Sequence, residues 1–215
     1  MSVSESSLRE DIVRAMQALD ARGLNRGTSG NVSARFAGGM LITPSGVVAS
    51  ALTPGSIVHM PLEREPEDEG LRPSSEWRMH GGLYRARADC GAVVHCHSRH
   101  ATILACAGRG IPPIHYMVGV SGRASVPLAP YAPFGSDELA GLVVEAMDGG
   151  FACLMANHGQ ITIGRTVARA LAVAEEMEEQ AAIYWGTLAI GGPTLLDEGQ
   201  MAEIFRRFGG YGQKR

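Results

Sequence analysis

Two histidines two residues apart, His95 and His97, close the apolar run Ala92-Val93-Val94. On a strand, residues i and i+2 share a face, so both imidazoles can reach one cation while Cys96 between them points away. Two readings fit the spacing: a metal-binding pair, or two histidines that face solvent or hydrogen-bond in a crevice. The apolar run argues for a buried strand, where two uncompensated imidazoles are costly. A metal is one way to satisfy them. His158 stands in Asn157-His158-Gly159 between two apolar runs, as either an ordinary turn residue or a third ligand at a strand end. Three imidazoles without a thiolate would form an open site of the catalytic zinc type, with room for substrate oxygens.

Three further segments could hold an anion. Pro73-Ser74-Ser75-Glu76 is either an ordinary helix start with an acid in its first turn, or a phosphate site built from two hydroxyls and a helix N-terminus. Gly27-Thr28-Ser29-Gly30-Asn31 and Thr43-Pro44-Ser45-Gly46 are common turn sequences that also offer small side chains and backbone N–H groups to an anion. The remaining histidines, His59, His80, His100 and His115, read as structural, with His100 placed to support the metal from behind.

These residues need elements to carry them. Leu8, Ile12, Ala15, Met16 and Leu19 recur at helical spacing over 7–22, ending at Gly23. Short β-branched runs at 32–36, 40–43 and 57–60, separated by glycine and proline, predict a meander of strands. The charged, proline-bearing 63–73 stretch predicts an exposed loop, and a helix opening at 73–76 carries Trp77, His80, Leu83 and Tyr84 on one stripe. Beyond it the patterns predict a strand at 92–98, a helix at 99–107, a strand at 114–120 and a helix from the Ser136 cap to Met147. Two strands joined by a turn follow at 151–163, then a long helix at 166–190 and a last helix from Asp197 to Gly209. On the long helix, Met177, Tyr184, Trp185 and Leu188 read as core or subunit contact. Strand neighbours joined by short turns favour an α/β fold with a mixed or antiparallel sheet and helices on its faces.

Composition narrows the class. A chain of 215 residues suits one domain, spanning 1–215. Four cysteines with no C-x-x-C pair fit a reducing compartment, and with no apolar leader or membrane span the expectation is a soluble, cytoplasmic protein. A net charge of -3 without a basic run gives no footprint for nucleic acid.

Taken in order, the segments G-L-N-x-G-T-x-G-N-V-S, L-I-T-P-S-G, P-S-S-E-W, A-V-V-H-x-H, I-P-x-I-H-Y-M, A-P-Y-A-x-F-G and N-H-G resemble the class II aldolase/adducin family, from about Gly23 to Gly159 and more loosely to the C-terminus. The resemblance implies a single three-layer α/β/α domain with a central, mostly antiparallel sheet. It implies one Zn2+ per subunit on His95, His97 and His158, with Glu76 as acid/base and a fourth ligand when substrate is absent. Asn31, Ser45, Gly46, Ser74 and Ser75 match the family's phosphate cradle, with Thr28 and Gly30 shaping its first loop. Phe134 matches an aromatic residue near the aldehyde end of the substrate. Tyr116 matches a tyrosine that reaches a neighbouring subunit's site, and Tyr211 a C-terminal tyrosine that helps close it, within a homotetramer whose active sites lie between subunits.

The implied reaction is zinc-dependent retro-aldol cleavage of a ketose 1-phosphate, L-fuculose 1-phosphate first, to dihydroxyacetone phosphate and a small aldehyde such as L-lactaldehyde. The scaffold has other outcomes: 5-deoxy- or 5-methylthio-ribulose-1-phosphate aldolases and dehydratases, ribulose-phosphate 4-epimerases, and the non-enzymatic head of adducin. Epimerases of the family look like P-S-S-D where this chain has Glu76, and an adducin-like scaffold would be expected to have lost the histidines. Asn157, where the family often has histidine, and the 118–123 stretch depart from the aldolase pattern and leave the aldehyde open.

Overall fold

The computed structural model of the chain describes residues 4–63, 65 and 70–210. Helix α1 (Glu5–Ala21) starts at Ser4, whose hydroxyl accepts from the Ser7 amide, and buries Ile12, Ala15, Met16 and Leu19 along one stripe. The strands that follow, β1 (Asn31–Phe36), β2 (Gly39–Ile42) and β3 (Val58–Pro61), form the expected meander. Helix α2 (Trp77–Ala86) then leads into β4 (Ala92–Cys96) and α3 (Arg99–Cys106). The second half contains β5 (Leu128–Ala129), α4 (Asp137–Ala146), β6 (Ala152–Met155), β7 (Gly159–Gly164), α5 (Val167–Ala189) and α6 (Glu198–Phe208).

The strands form one seven-stranded sheet in the order β3-β2-β1-β4-β7-β6-β5. Every pairing is antiparallel except β5 with β6, which is parallel. Alternation along β4 sends Val93 toward α2 and α4, and Ala92, Val94 and Cys96 toward α1 and α5. Leu83 and Leu139 close the first layer, and Ile12, Leu19 and Ala174 the second. A third apolar cluster joins Leu104 of α3 and Val118 to Val173 and Met177 of α5. Sheet, helices above and helices below make the three layers expected of the fold.

One element differs. Residues 114–120, expected as a strand, instead contain a 3-10 helix, Tyr116–Ser121. Pro112 and Pro113 offer no amide hydrogen to a ladder, and the His115 ring accepts from the Met117 amide while Gly122 ends the turn in the left-handed region at φ 79°. Without a strand, His115 and Tyr116 do not alternate between two faces, and their ring centroids lie 4.5 Å apart. The start of α2 also differs in detail: Glu76 occupies the cap position, and the Ser74 hydroxyl accepts from the Glu76 amide at 3.3 Å.

Candidate metal centre and anion cleft

Strand register brings the candidate residues together. His95 pairs with Asn31 of β1 on one side and Ile161 of β7 on the other, so Asn31 and His95 stand side by side on the α2 face. His158 enters from the β6–β7 turn. The chain folds back there because Asn157 takes the left-handed conformation at φ 55° and Gly159 passes tightly under β4. A Cβ on Gly159 would sit 2.6 Å from the Cys96 carbonyl oxygen, so only glycine fits. Glu76 at the start of α2 completes the group.

The three imidazoles offer ligand atoms that all lie within 4.8 Å of one another. His95 Nε2 is 3.0 Å from His97 Nε2, and the ring centroids of the three histidines lie 4.8 to 5.0 Å apart. His95 Nδ1 donates to the Gln160 carbonyl oxygen at 2.8 Å, which leaves the Nε2 lone pair for the centre of the cluster. Glu76 Oε2 lies 3.2 Å from His95 Nε2 and Oε1 lies 3.0 Å from His158 Nε2. Although close to His158, Oε1 is buried without an aligned hydrogen-bond donor. Nitrogen and carboxylate donors with no thiolate, converging on one point beside a cleft, fit a divalent cation with open coordination positions. Cys96 faces the other layer, and burial pushes its thiol up to about 12, so it stays an inert core residue.

Burial opposes ionisation of Glu76, but the adjacent His95 and His158 outweigh it and hold the carboxyl well below the usual carboxylate range. Burial likewise opposes charge on His95, yet Glu76 beside it draws its pKa above the ordinary histidine value. His97 has no carboxylate at such close range. Burial, then its two histidine neighbours, lower it to about 4.

A cleft of about 420 Å³ opens beside the cluster. Thr28, Gly30, Asn31, Ser45, Gly46, Ser74 and Ser75 line one part of it, and Glu76, His97, His158 and Phe134 another. The two serine-bearing loops are zipped to each other, the Ser74 amide donating to the Thr43 carbonyl oxygen at 2.9 Å and the Ser45 amide to the Arg72 carbonyl oxygen at 3.0 Å. Those two amides are therefore spent on the scaffold, and the hydroxyls and the second hydrogen of the Asn31 side-chain amide, whose first goes to Glu76, remain as anion donors beside the partial positive charge at the start of α2. Among the described residues, no lysine or arginine lines the cleft.

One of the two expected tyrosines stands apart from the cleft. Tyr116 lines a separate groove of about 890 Å³ with Phe205 and Phe208 of α6, and it is 46% exposed. Tyr211 lies outside the described residues. His100 donates from Nδ1 to Glu178 at 2.8 Å, in a contact that ties α3 to α5. On α5, Met177 and Tyr184 are core residues, while Trp185 and Leu188 are exposed.

Sequence reasoning missed two members of the site, Tyr131 and Asn25. Tyr131, 64% exposed, lines the cleft, as does Asn157, which the sequence marks as a departure from the aldolase pattern. Asn25 accepts from the His97 amide at 3.1 Å and so fixes the chain just past β4. Its partner is 72 residues away, and no local pattern signals the contact. A Cβ on Gly30 would collide with the Asn25 side-chain amide, which ties the glycine of the first loop to the same contact.

Comparison with known proteins agrees with this geometry. Residues 10–185 match the family described as Class II Aldolase and Adducin N-terminal domain. The chain is 44% identical to a 5-methylthioribulose-1-phosphate/5-deoxyribulose-1-phosphate aldolase of Rhodospirillum rubrum, over 99% of this chain and 96% of that one. It is 40% identical to the L-fuculose phosphate aldolase of Escherichia coli K12, over 98% of each chain. A solved L-fuculose 1-phosphate aldolase superposes with a TM-score of 0.91 at 34% identity, covering 97% of this chain and 98% of that one. The chain belongs to the class II aldolase and adducin family and, by its relatives and fold, to the metal-dependent aldolases within it.

Proposed function

We propose that this aldolase cleaves a ketose 1-phosphate with a short deoxygenated or methylthio tail, yielding dihydroxyacetone phosphate and a small aldehyde. The observation that carries the reading is one cleft holding three converging imidazoles, a buried carboxylate and a bank of hydroxyls. We take 5-methylthioribulose 1-phosphate and 5-deoxyribulose 1-phosphate as the first substrates. Relatives with those activities match at 44% and 42% identity, and the aromatic rim of Tyr131 and Phe134 offers an apolar surface for such a tail. L-fuculose 1-phosphate is a second reading, favoured by the E. coli relative and the superposed structure.

His95, His97 and His158 would hold the cation, with Glu76 as a further ligand before substrate enters. We propose Zn2+ from the all-imidazole set. When bound, the ion supplies Lewis-acid stabilisation of the negative charge that develops on the ketose oxygen. The substrate phosphate is read into the cradle of Asn31, Ser45, Gly46, Ser74 and Ser75, where the start of α2 adds its partial positive charge, with Thr28 and Gly30 shaping the first loop. Cleavage breaks the C3–C4 bond: the hydroxyl at C4 loses its proton, the aldehyde leaves, and the bonding pair passes toward the C2 oxygen. Glu76, ionised at rest, takes up a proton from solvent and delivers it to C3, and in the aldol direction removes it and returns it to solvent.

Tyr116 would move the proton on the aldehyde oxygen from a neighbouring subunit, with Tyr211 helping to close that site, in a homotetramer. Exposure of Tyr116 away from its own cleft supports this assignment. The chain would act as one domain in a reducing cytoplasm, an environment its free cysteines suit.

The test is to incubate protein of known metal content with each of the three ketose phosphates, with and without chelator. Dihydroxyacetone phosphate is followed through oxidation of NADH in a coupled assay. Release that disappears with chelator and returns with zinc supports the reading. No release from any of the three by protein carrying about one zinc per chain would overturn it.

A further inference from the structure

Behind the cleft, a chain of buried side chains runs from Glu76 into the core. Asn31 Nδ2 donates to Glu76 Oε2 at 2.8 Å, and Asn31 Oδ1 lies 2.6 Å from His80 Nε2. On the other side of that ring, Nδ1 is 2.6 Å from the Ser33 hydroxyl, which is 2.7 Å from the Tyr84 hydroxyl. His80 and Ser33 are wholly buried and Tyr84 and Asn31 nearly so. The geometry follows from two periodicities: Glu76, His80 and Tyr84 follow one another at four-residue spacing at the start of and along α2, and Asn31 and Ser33 share one face of β1. The two stripes interlock, acid to amide to imidazole to hydroxyl to phenol.

The direction of every proton in this chain is forced from the Glu76 end. An ionised carboxylate only accepts, so Asn31 must turn its NH2 toward it and its carbonyl toward His80. That carbonyl needs a donor, which places the hydrogen of a neutral His80 on Nε2. Burial, with a contribution from His95, lowers His80 to about 3, so the ring is neutral across the working range. Nδ1 is then an acceptor, Ser33 must donate to it, and Tyr84 must donate to Ser33. The other His80 tautomer would set two acceptors against each other, a buried mismatch that costs on the order of 1–3 kcal/mol.

We propose that His80, Ser33 and Tyr84 are positioning residues that lock the Asn31 amide, so that Glu76 Oε2 is held by a fixed donor and Oε1 is left to carry the proton. The inference rests on the reading of Glu76 as the carboxylate that moves the carbon-bound proton. None of the three residues touches the cleft; each acts through Asn31, which lines the cleft itself. The aldolase therefore holds its acid/base through a hydrogen-bond relay built into α2 and β1, and a group far from substrate sets the freedom of that carboxylate.

The experiment measures deuterium exchange at C3 of dihydroxyacetone phosphate, a step in which Oε1 takes the proton, exchanges it with solvent and returns deuterium to the same carbon. In zinc-loaded His80→Leu, exchange falls by about tenfold or more while zinc per chain is unchanged. In His80→Gln, whose amide nitrogen can replace Nε2 as donor to Asn31, most of the rate returns. Ser33→Ala, a milder change, carries the same prediction through loss of the donor to Nδ1, and serves if His80→Leu does not fold. Ring-nitrogen NMR of the parent protein without substrate should show His80 protonated on Nε2 alone. A parent protein protonated on Nδ1, or folded His80→Leu and Ser33→Ala enzymes exchanging at the parent rate, would overturn the proposal. A parent enzyme unable to exchange would instead remove the role of Glu76, while the tautomer would still decide how the amide is locked.

Discussion

His95 and Gln160 meet across β4 and β7, where the imidazole Nδ1 donates to the backbone carbonyl oxygen at 2.8 Å. That contact selects the tautomer with a lone pair on Nε2, the form that can bind a cation. It is also made by backbone, so no side-chain substitution at residue 160 removes the acceptor itself. The ligand is oriented by the sheet register.

Metal should therefore stabilise the fold through a preformed site. At a free zinc concentration a thousandfold above Kd, linkage adds about 4 kcal/mol. Chelation should lower the melting temperature of the parent protein by several degrees, roughly as linkage of that size requires. His158→Ala should melt at the same temperature with and without chelator, as read by differential scanning calorimetry beside metal analysis.

Glu76→Gln keeps the shape and the contact with the Asn31 amide but cannot move a proton. Turnover should fall by about a hundredfold to ten-thousandfold, the usual worth of a general acid or base. Zinc content should stay near the parent value if the three histidines suffice to hold it. A parent-like rate would remove Glu76 from the chemistry.

The buried histidines set an acid limb on stability. His80 is lowered to about 3 by burial, with His95 adding to the shift, so between roughly pH 6.5 and 3 the unfolded chain takes up a proton there that the folded chain does not. Its contribution is fully present above pH 6.5 and shrinks as pH falls toward 3. His97, lowered to about 4, adds in the same direction. Urea titrations across this range should show a flatter acid limb for His80→Gln than for the parent, since glutamine does not titrate.

Tyr116 should matter in trans. Tyr116→Phe should lower turnover by about a hundredfold, in the range of a lost general acid, with metal content unchanged. Mixing Tyr116→Phe with Glu76→Gln subunits and reassembling them should restore part of the activity, because some sites would then combine an intact Glu76 with a neighbour's intact Tyr116. No recovery in verified mixed oligomers would place Tyr116 outside a neighbouring site.

The one misread segment shows where local pattern stops. The β-branched alternation of 114–120 fits a strand, but Pro112 and Pro113 withhold donors, and the apolar side chains find α5 rather than a sheet edge. Periodicity reports which residues seek a core, and it does not report whether a neighbouring strand has a free edge to offer.

Much of the site was legible in the chain itself. His95 and His97 share a face because strand geometry repeats every two residues, and the serines and Glu76 gather at a helix start because such residues favour that position. Only the tertiary structure decided the contacts between distant segments: that Asn157 turns left-handed to deliver His158, that Asn25 fixes the backbone of His97, and that His80, read as a structural histidine, stands in the middle of a hydrogen-bonded chain that reaches Glu76 through Asn31. The reason is the range of the forces involved. Backbone propensity acts over a few neighbours, whereas the register that sets Asn31 beside His95 is fixed by cooperative packing of strands and helices far apart in the sequence.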